Sequence, residues 1–322
     1  MKINNPSTSI NSLFENLIQN IESKEENKNI IPTLFSLLDQ KFGGISLGEL
    51  IVIGGRPSMG KTQFAVNLVS NICQQNPVLY FSFDLLPKDL TARFVSCRTN
   101  IPVNKIINRQ LMGEEIEKIK SVTKDFKNSS VFISDVSSIV IENILAEIHS
   151  YVTNYGVRVV VIDYLQLMGS SKINFGREAE IGHICKVLKN CAKELNISLI
   201  LLSGLSRSVE LRGSSKKPQL IDLRESGSIE QLADKVWLLY RPEYYLIDEL
   251  DDDCGTPSDC ILTLIVAKNK NGINGECYFK RNINFTEFKN IEEPSNDFEL
   301  LPSRLREIEK PFEKFSDDDA PF

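Results

Sequence analysis

The sequence predicts an α/β fold: a mostly parallel sheet covered by helices, with antiparallel strands near the C-terminal end. Three observations predict it. Continuous β-branched runs such as "ELIVIGG", "VRVVVID" and "SLILLSG" are separated by helical stretches of 15 residues or more, the pattern of strands buried on both faces. A glycine-rich loop, "GGRPSMGKT" at 54–62, joins the first of these runs to a helix. Near the end, "CILTLIVAK", "GECYFKR" and "INFTEF" follow one another with turns at "NKNGING", which reads as antiparallel pairing.

Taken in order, the chain has three parts. Residues 1–30 are polar except for Ile10, Leu13, Phe14, Leu17, Ile18 and Ile21. These recur at helical spacing and make one apolar stripe on a short helix. "ESKEENKN" then reads as a charged linker. The helix either packs on its own domain or reaches across to a neighbouring subunit, and spacing alone does not choose. Residues 31–290 hold the alternating elements: "ELIVIGG", a helix from Lys61, then strands at "VLYFSF", "VFISD", "VRVVVID" and "SLILLSG", followed by the antiparallel group. Residues 291–322 are acidic, interrupted by proline, and predicted to be disordered. No internal repeat is visible.

Composition narrows the function classes. A chain of 322 residues with 42% apolar content can bury a sizeable core as one large domain or two small ones. No apolar run reaches the roughly 18 residues a membrane helix needs. The start, "MKINNPSTSI", lacks an apolar secretory core, so a cytoplasmic protein with no membrane partner is expected. Seven scattered cysteines without a CxxC pair predict free thiols rather than disulfides or a zinc site. The two histidines, His149 and His183, disfavour His-based catalysis or metal binding. The net charge of −6 is carried entirely by residues 291–322, with ten acidic and four basic side chains, so the body is neutral and free to concentrate cations on one surface.

Gly55, Gly60, Lys61 and Thr62 fit G-x-x-x-x-G-K-[ST] in its required place, after a strand and before a helix. The glycines let backbone N–H groups approach phosphate oxygens, and the following helix aims its positive end there. Gly55, Ser58, Gly60, Lys61 and Thr62 are therefore expected to hold ATP. Lys61 would reach the β- and γ-phosphates, and Thr62 would ligate Mg²⁺. Asp163, at the end of the apolar "VRVVVID", is costly to bury without a partner and is the expected second Mg²⁺ carboxylate.

"RPSMGKT", "VIDYLQLM", "SGLSRSVELR" and "DLRESGSIEQLAD" together resemble the motor domain of DnaB-type replicative helicases, from about Ile31 to Phe288. The resemblance implies a RecA-like P-loop ATPase core that assembles into a ring, commonly a hexamer, and moves on single-stranded DNA with strand separation in DNA replication. It also implies an N-terminal domain that the roughly 30 residues before the motor region do not hold, and likens the segment around Leu13 to Ile21 to a linker helix docking on the adjacent subunit. Arg241, in "LYRPEYY", matches a nucleotide-adjacent arginine of the family. An exposed strand-end residue is the other reading.

Three positions depart from the family pattern. Asp84, in "FSFDLL", stands where the family places a water-polarising glutamate, and its side chain is shorter by one C–C bond, roughly 1.5 Å. Gly204, in "SGLSR", replaces a glutamine that senses the γ-phosphate. Lys268 and Lys270, in "KNKNG", stand where the family supplies a lysine and an arginine finger to the neighbouring subunit's nucleotide. Lysine supplies charge without the bidentate fork. Asp84, Lys61, Lys268 and Lys270 are the expected catalytic set, with turnover slowed by these changes. The alternative is a weakened nucleotide-binding ring serving as a DNA-binding scaffold or assembly factor.

DNA is expected along "SGLSRSVELRGSSKKP", residues 203–218, where Arg207, Arg212, Lys216 and Lys217 offer charge to a phosphate backbone without reading sequence. Arg224 and Glu225 in "DLRES" extend the same connection, and Lys172 and Arg177 in "GSSKINFGRE" form a second candidate. By charge count alone these are solvated surface loops. The tail "FSDDDAPF" is similar to the acidic end of bacterial single-stranded-DNA-binding proteins. It reads as a solvated end, as a docking segment for a replication-protein partner, or as a competitor of DNA for the basic loops.

Overall fold

The structure, a computed structural model, describes residues 9–22, 28–127, 129–134, 138–172, 176–213, 216–223, 227–248 and 257–291. Arg224, Glu225, linker residues 23–27, Cys254 and the tail from 292 onward lie outside the described residues.

The elements run α1 (Ile10–Glu22), β1 (Ile30–Ile31), α2 (Ser36–Phe42), β2 (Ile45–Ser46), β3 (Leu50–Gly55), α3 (Lys61–Ile72), β4 (Val78–Ser82), α4 (Pro87–Thr99), α5 (Val103–Ile107), α6 (Gly113–Lys127) and β5 (Val131–Ser134). They continue with α7 (Ile141–Tyr155), β6 (Val159–Asp163), a 3₁₀ turn (Leu165–Leu167), α8 (Arg177–Leu195), β7 (Ser198–Gly204), α9 (Ser208–Leu211), α10 (Gly227–Leu232), β8 (Lys235–Tyr240), β9 (Ile261–Asn269), β10 (Gly275–Arg281) and β11 (Phe288–Asn290).

Among the described residues, nine strands form one sheet in the order β11-β10-β9-β8-β3-β7-β6-β4-β5. From β8 to β5 the neighbours are parallel, and β9, β10 and β11 add antiparallel strands on one side. Parallel strands need crossovers, and the intervening helices supply them while covering both faces. Alternation along each strand then feeds two cores. Ile51, Ile53, Val159 and Val161 point to the side packed by α3 and α4. Leu50, Val52, Val160 and Ile162 point to the side packed by α7 and α8. This layering puts the C-terminal ends of β3, β4, β6 and β7 along one edge, where ligands of open α/β sheets bind.

Two expectations change. "INFTEF" does not pair throughout: β11 begins only at Phe288, and residues 282–287 turn. The Asn282 side-chain oxygen accepts the backbone N–H of Thr286 at 2.7 Å and of Glu287 at 3.3 Å, a local bond that competes with the strand ladder. Strand β8, "KVWLLY", fully buried beside β3, is not among the expected strands.

The stripe of α1 is uncovered. Ile10, Leu13, Phe14, Leu17, Ile18 and Ile21 are all between 52% and 69% exposed, so the helix does not bury this face on its own domain. None of the six cysteines among the described residues is in a disulfide. Among those residues no helix is long and apolar enough to cross a membrane.

Candidate nucleotide site at the strand ends

The chain leaves β3 at Gly55, loops through 56–60, and enters α3 at Lys61. Gly60 sits at φ +91°, and a Cβ there would stand 2.4 Å from the Phe285 ring. Only glycine fits both the angle and the space. No side chain caps the first turn of α3 and no acidic residue stands in it, so its N–H groups are open to an anion. Lys61 Nζ donates to Gly55 O at 2.8 Å and Arg56 O at 3.2 Å, holding the loop closed over its own strand. Burial, with the neighbouring Arg56 charge, lowers the Lys61 pKa against the pull of Asp163 and Asp84.

Asp163 ends β6 and is 4% exposed. Its Oδ2 accepts from Thr62 Oγ1 at 2.7 Å and from Tyr80 Oη at 3.1 Å. Burial raises its pKa, Asp84 adds to the rise, and the two hydroxyls and Lys61 oppose it. A hydroxyl and a carboxylate in contact are hard oxygen donors, the set Mg²⁺ takes when phosphates and water complete its shell. No group of three or more His, Cys, Asp or Glu that could hold a metal exists among the described residues, so these two donors fit Mg²⁺ shared with a nucleotide, not a self-sufficient metal cage.

One cavity of about 570 Å³ joins these groups. Lys61, Thr62 and Asp163 line it, as do Ser58, Gly60, Asp84, Gln166, Gly204, Arg241 and Phe285. Asp84 is exposed at this lining, with no side-chain hydrogen bond to a described residue fixing it. Against the glycine-rich loop Arg241 lies over Phe285, its guanidinium carbon 4.5 Å from the ring centroid, and donates to Ser58 O at 2.9 Å. Arg281 lies 5.3 Å from the same ring. Both arginines pair with Glu243. Burial alone would raise the Glu243 pKa, but the hydrogen bonds from Arg281 and Arg241 outweigh it and hold the carboxyl below its usual range.

The two expected trans-acting lysines are not part of this lining. Lys268 Nζ donates to Glu230 O at 2.7 Å, capping the end of α10. Lys270 is 63% exposed and only 3.8 Å from Asp234 Oδ1. Asp234 is otherwise held by Lys189 and by the Leu50 N–H.

The basic segment after β7 is less free than its charge count suggests. Leu205 bridges Leu223, and Ser206 N donates to Asp222 O at 2.7 Å, which closes the loop at its base. Arg212 pairs with the buried Asp222. Lys216 Nζ donates to the carbonyls of Glu210 and Arg212, and Lys217 pairs with Glu276 at 2.7 Å. Arg207 is exposed beside α9. In the second candidate segment Lys172 is exposed, while Arg177 pairs with Glu180 and donates to Gln166 O. Arg56 links the glycine-rich loop to this segment: it donates to Leu205 O at 2.9 Å and pairs with Glu210 at 2.8 Å.

Sequence reasoning missed Tyr80, Arg56, Gln166, Phe285, Arg281 and Glu243. Tyr80 is fully buried, so its hydroxyl is a committed donor to Asp163. Tyr80→Phe keeps the ring packing and removes one hydrogen bond to a charged group. The expected loss of stability at neutral pH is roughly 1.5–3 kcal/mol by chemical denaturation. The bond favours the ionised carboxylate, and Asp163 titrates at a raised pKa. The deficit should therefore be full above that pKa and shrink as pH falls through it. A pH-independent deficit would show that the hydroxyl does not act through Asp163.

The chain is similar to proteins of known family. Residues 30–290 match the family described as DnaB-like helicase C terminal domain. Replicative DNA helicase DnaB of Geobacillus stearothermophilus is 34% identical over 275 residues, covering 84% of this chain and 59% of the relative. The Haemophilus influenzae protein of the same name is 37% identical over 292 residues, covering 88% and 61%. Among solved structures, one described as an ATPase domain superposes with a TM-score of 0.80 at 32% identity, over 89% of this chain and 100% of that one. A DnaB-like replicative helicase, studied with its interactions with primase, gives 0.79 at 32% identity over 88% and 69%. The chain thus spans about three fifths of the length of the curated relatives it matches. With the phosphate-binding loop, Asp163 and the parallel sheet arranged as described, the chain belongs to the DnaB-like helicase C-terminal domain family.

Proposed function

We propose that the chain is the motor of a ring-forming, ATP-dependent helicase or translocase that moves on single-stranded DNA in replication. The observation that carries this reading is the convergence of Lys61, Thr62 and Asp163, with 2.7 Å between the Thr62 and Asp163 oxygens, at the edge where the parallel strands end.

In this reading the open first turn of α3 and Lys61 hold the phosphates of ATP, while Thr62 and Asp163 hold Mg²⁺. The bound Mg²⁺ supplies charge neutralisation for the phosphates. Asp84 polarises the attacking water from the exposed side of the cavity. Phe285 and Arg241 meet the base. Lys270, with Lys268 beside it, serves the nucleotide of the adjacent subunit. DNA runs along the exposed cations Arg207 and Lys172, with Arg212, Lys216 and Lys217 shaping the loop that presents them. Arg177, Arg224 and Glu225 belong to the same proposal as DNA-binding residues, and so does a replication-protein partner for the acidic tail.

Turnover of ATP with and without single-stranded DNA tests the reading. Stimulation by DNA is expected. Nucleotide and DNA binding without DNA-stimulated turnover would favour the scaffold instead.

The exposed stripe of α1 supports assembly, commonly a hexamer. Full burial of a large apolar side chain gains roughly 1.5–3 kcal/mol, so six on one face offer a neighbour a substantial apolar surface. Leu13→Glu with Leu17→Glu is expected to lower the mass of the ATP-bound assembly in native mass measurement to that of smaller species. An unchanged mass would remove α1 from the interface.

A further inference from the structure

Gln166 lies three residues beyond Asp163, in the 3₁₀ turn that follows β6. The turn is fixed on both sides: Leu165 is fully buried, and Arg177 donates to the Gln166 carbonyl at 2.8 Å. The side chain reaches across to the end of β7. Its Oε1 accepts the Gly204 N–H at 3.0 Å, and its Nε2 donates to Ser203 Oγ at 2.9 Å. Gly204 has no side chain of its own to offer the cavity, and a Cβ built there would stand 3.9 Å from Gln166 Oε1. Gln166 and Gly204 line the same cavity as Lys61, Thr62 and Asp163.

A primary amide carries two N–H donors. Ser203 takes one, and no described residue takes the other. A neutral donor that lines one cavity with Lys61, the start of α3, Thr62 and Asp163 suits an anionic oxygen held there. The same amide grips the backbone where β7 passes into the segment that Leu205 and Leu223 close.

We propose that Gln166 reads the terminal phosphate of the bound nucleotide, donating its second N–H to it, and transmits occupancy to Gly204 and the loop beyond. The proposal rests on the nucleotide reading of the cavity. The donor half of the amide discriminates triphosphate from diphosphate, and the acceptor half tethers the strand end. Gln166→Glu removes the donor and keeps an acceptor for Gly204. Gln166→Ala removes both.

The test compares affinities of the whole chain for a non-hydrolysable ATP analogue and for ADP, with Mg²⁺, by calorimetry. In Gln166→Ala the triphosphate preference is expected to fall about tenfold or more, the size of one hydrogen bond to a charged group, with ADP affinity unchanged. Gln166→Glu should lose the preference too, while Gly204 amide exchange stays slow; in Gln166→Ala that exchange should quicken. If Gln166→Ala does not fold, Gln166→Met, close in size and without charge or donor, carries the measurement. An unchanged preference, or equal weakening of both nucleotides, overturns the role of Gln166 alone. Failure of the unsubstituted chain to bind either nucleotide overturns the underlying reading, and this one with it.

Discussion

Lys61→Ala is expected to weaken ATP binding by about 10²–10³-fold while leaving the fold intact, since it removes the ammonium that makes charge-assisted bonds to phosphate. The effect should be large because the surroundings already work against the charge. Burial lowers the Lys61 pKa, so the site holds a cation at a cost that an anionic ligand offsets. The fold should survive because α3 is anchored elsewhere, by Phe64, Ala65, Leu68 and Val69 in one core and by the bonds of Gln63 and Asn67 to Thr286 O. Asp163 loses a cation that favours its charged form but keeps its bonds from Thr62 and Tyr80, so the nucleotide-free protein should change little in stability while nucleotide affinity collapses. Calorimetry with near-ultraviolet circular dichroism as the folding control checks this. Unchanged affinity would mean that the glycine-rich loop is not the phosphate site.

How much of this was legible depends on how local each signal is. The strands "ELIVIGG", "VRVVVID" and "SLILLSG" could be read because a strand covered on both faces is a continuous apolar run, whatever lies beside it. The loop at 54–62 could be read because its spacing is set by one turn of backbone. Asp163 could be read because a charge ending an apolar strand needs a partner. Tyr80 could not, since its ring is ordinary for a buried strand and only the pairing of β4 with β6 brings its hydroxyl under Asp163. Phe285 was hidden by apparent alternation, and the side chain of Asn282 turned the chain away from it. Arg56 and Glu210 meet across 154 residues, which no window shows. The basic loop misled in another way. Counting Arg212, Lys216 and Lys217 as available charge ignored the carbonyls, Asp222 and Glu276 that hold them. The departure at Gly204 also changes meaning: restoring glutamine there would set a second amide against that of Gln166, whose oxygen already holds the Gly204 N–H.

Lys270→Ala should lower ATP turnover by roughly 10²-fold or more, because loss of a trans-acting cation removes charge stabilisation from phosphoryl transfer. Nucleotide affinity of the separate subunit should be untouched, since Lys270 does not line its own chain's cavity. The side chain is 63% exposed and its only close carboxylate among the described residues, Asp234, is already satisfied by Lys189 and a backbone N–H, so its removal leaves nothing buried and unpaired. The decisive form of the experiment mixes two inactive proteins. Lys61→Ala subunits keep Lys270 but hold no nucleotide; Lys270→Ala subunits hold nucleotide but lack the cation. In a head-to-tail ring assembled at random from equal amounts, about a quarter of the interfaces join an intact nucleotide site to an intact Lys270, and turnover should recover toward that share. A lysine acting on its own chain's nucleotide predicts no recovery at all, because neither protein then contains one complete site. Lys270→Arg in the otherwise natural chain completes the argument. The planar fork presents paired donors that an ammonium lacks, so turnover should rise above that of the natural protein. A rise in turnover without recovery on mixing would place the residue in its own chain's chemistry and remove it from the subunit interface.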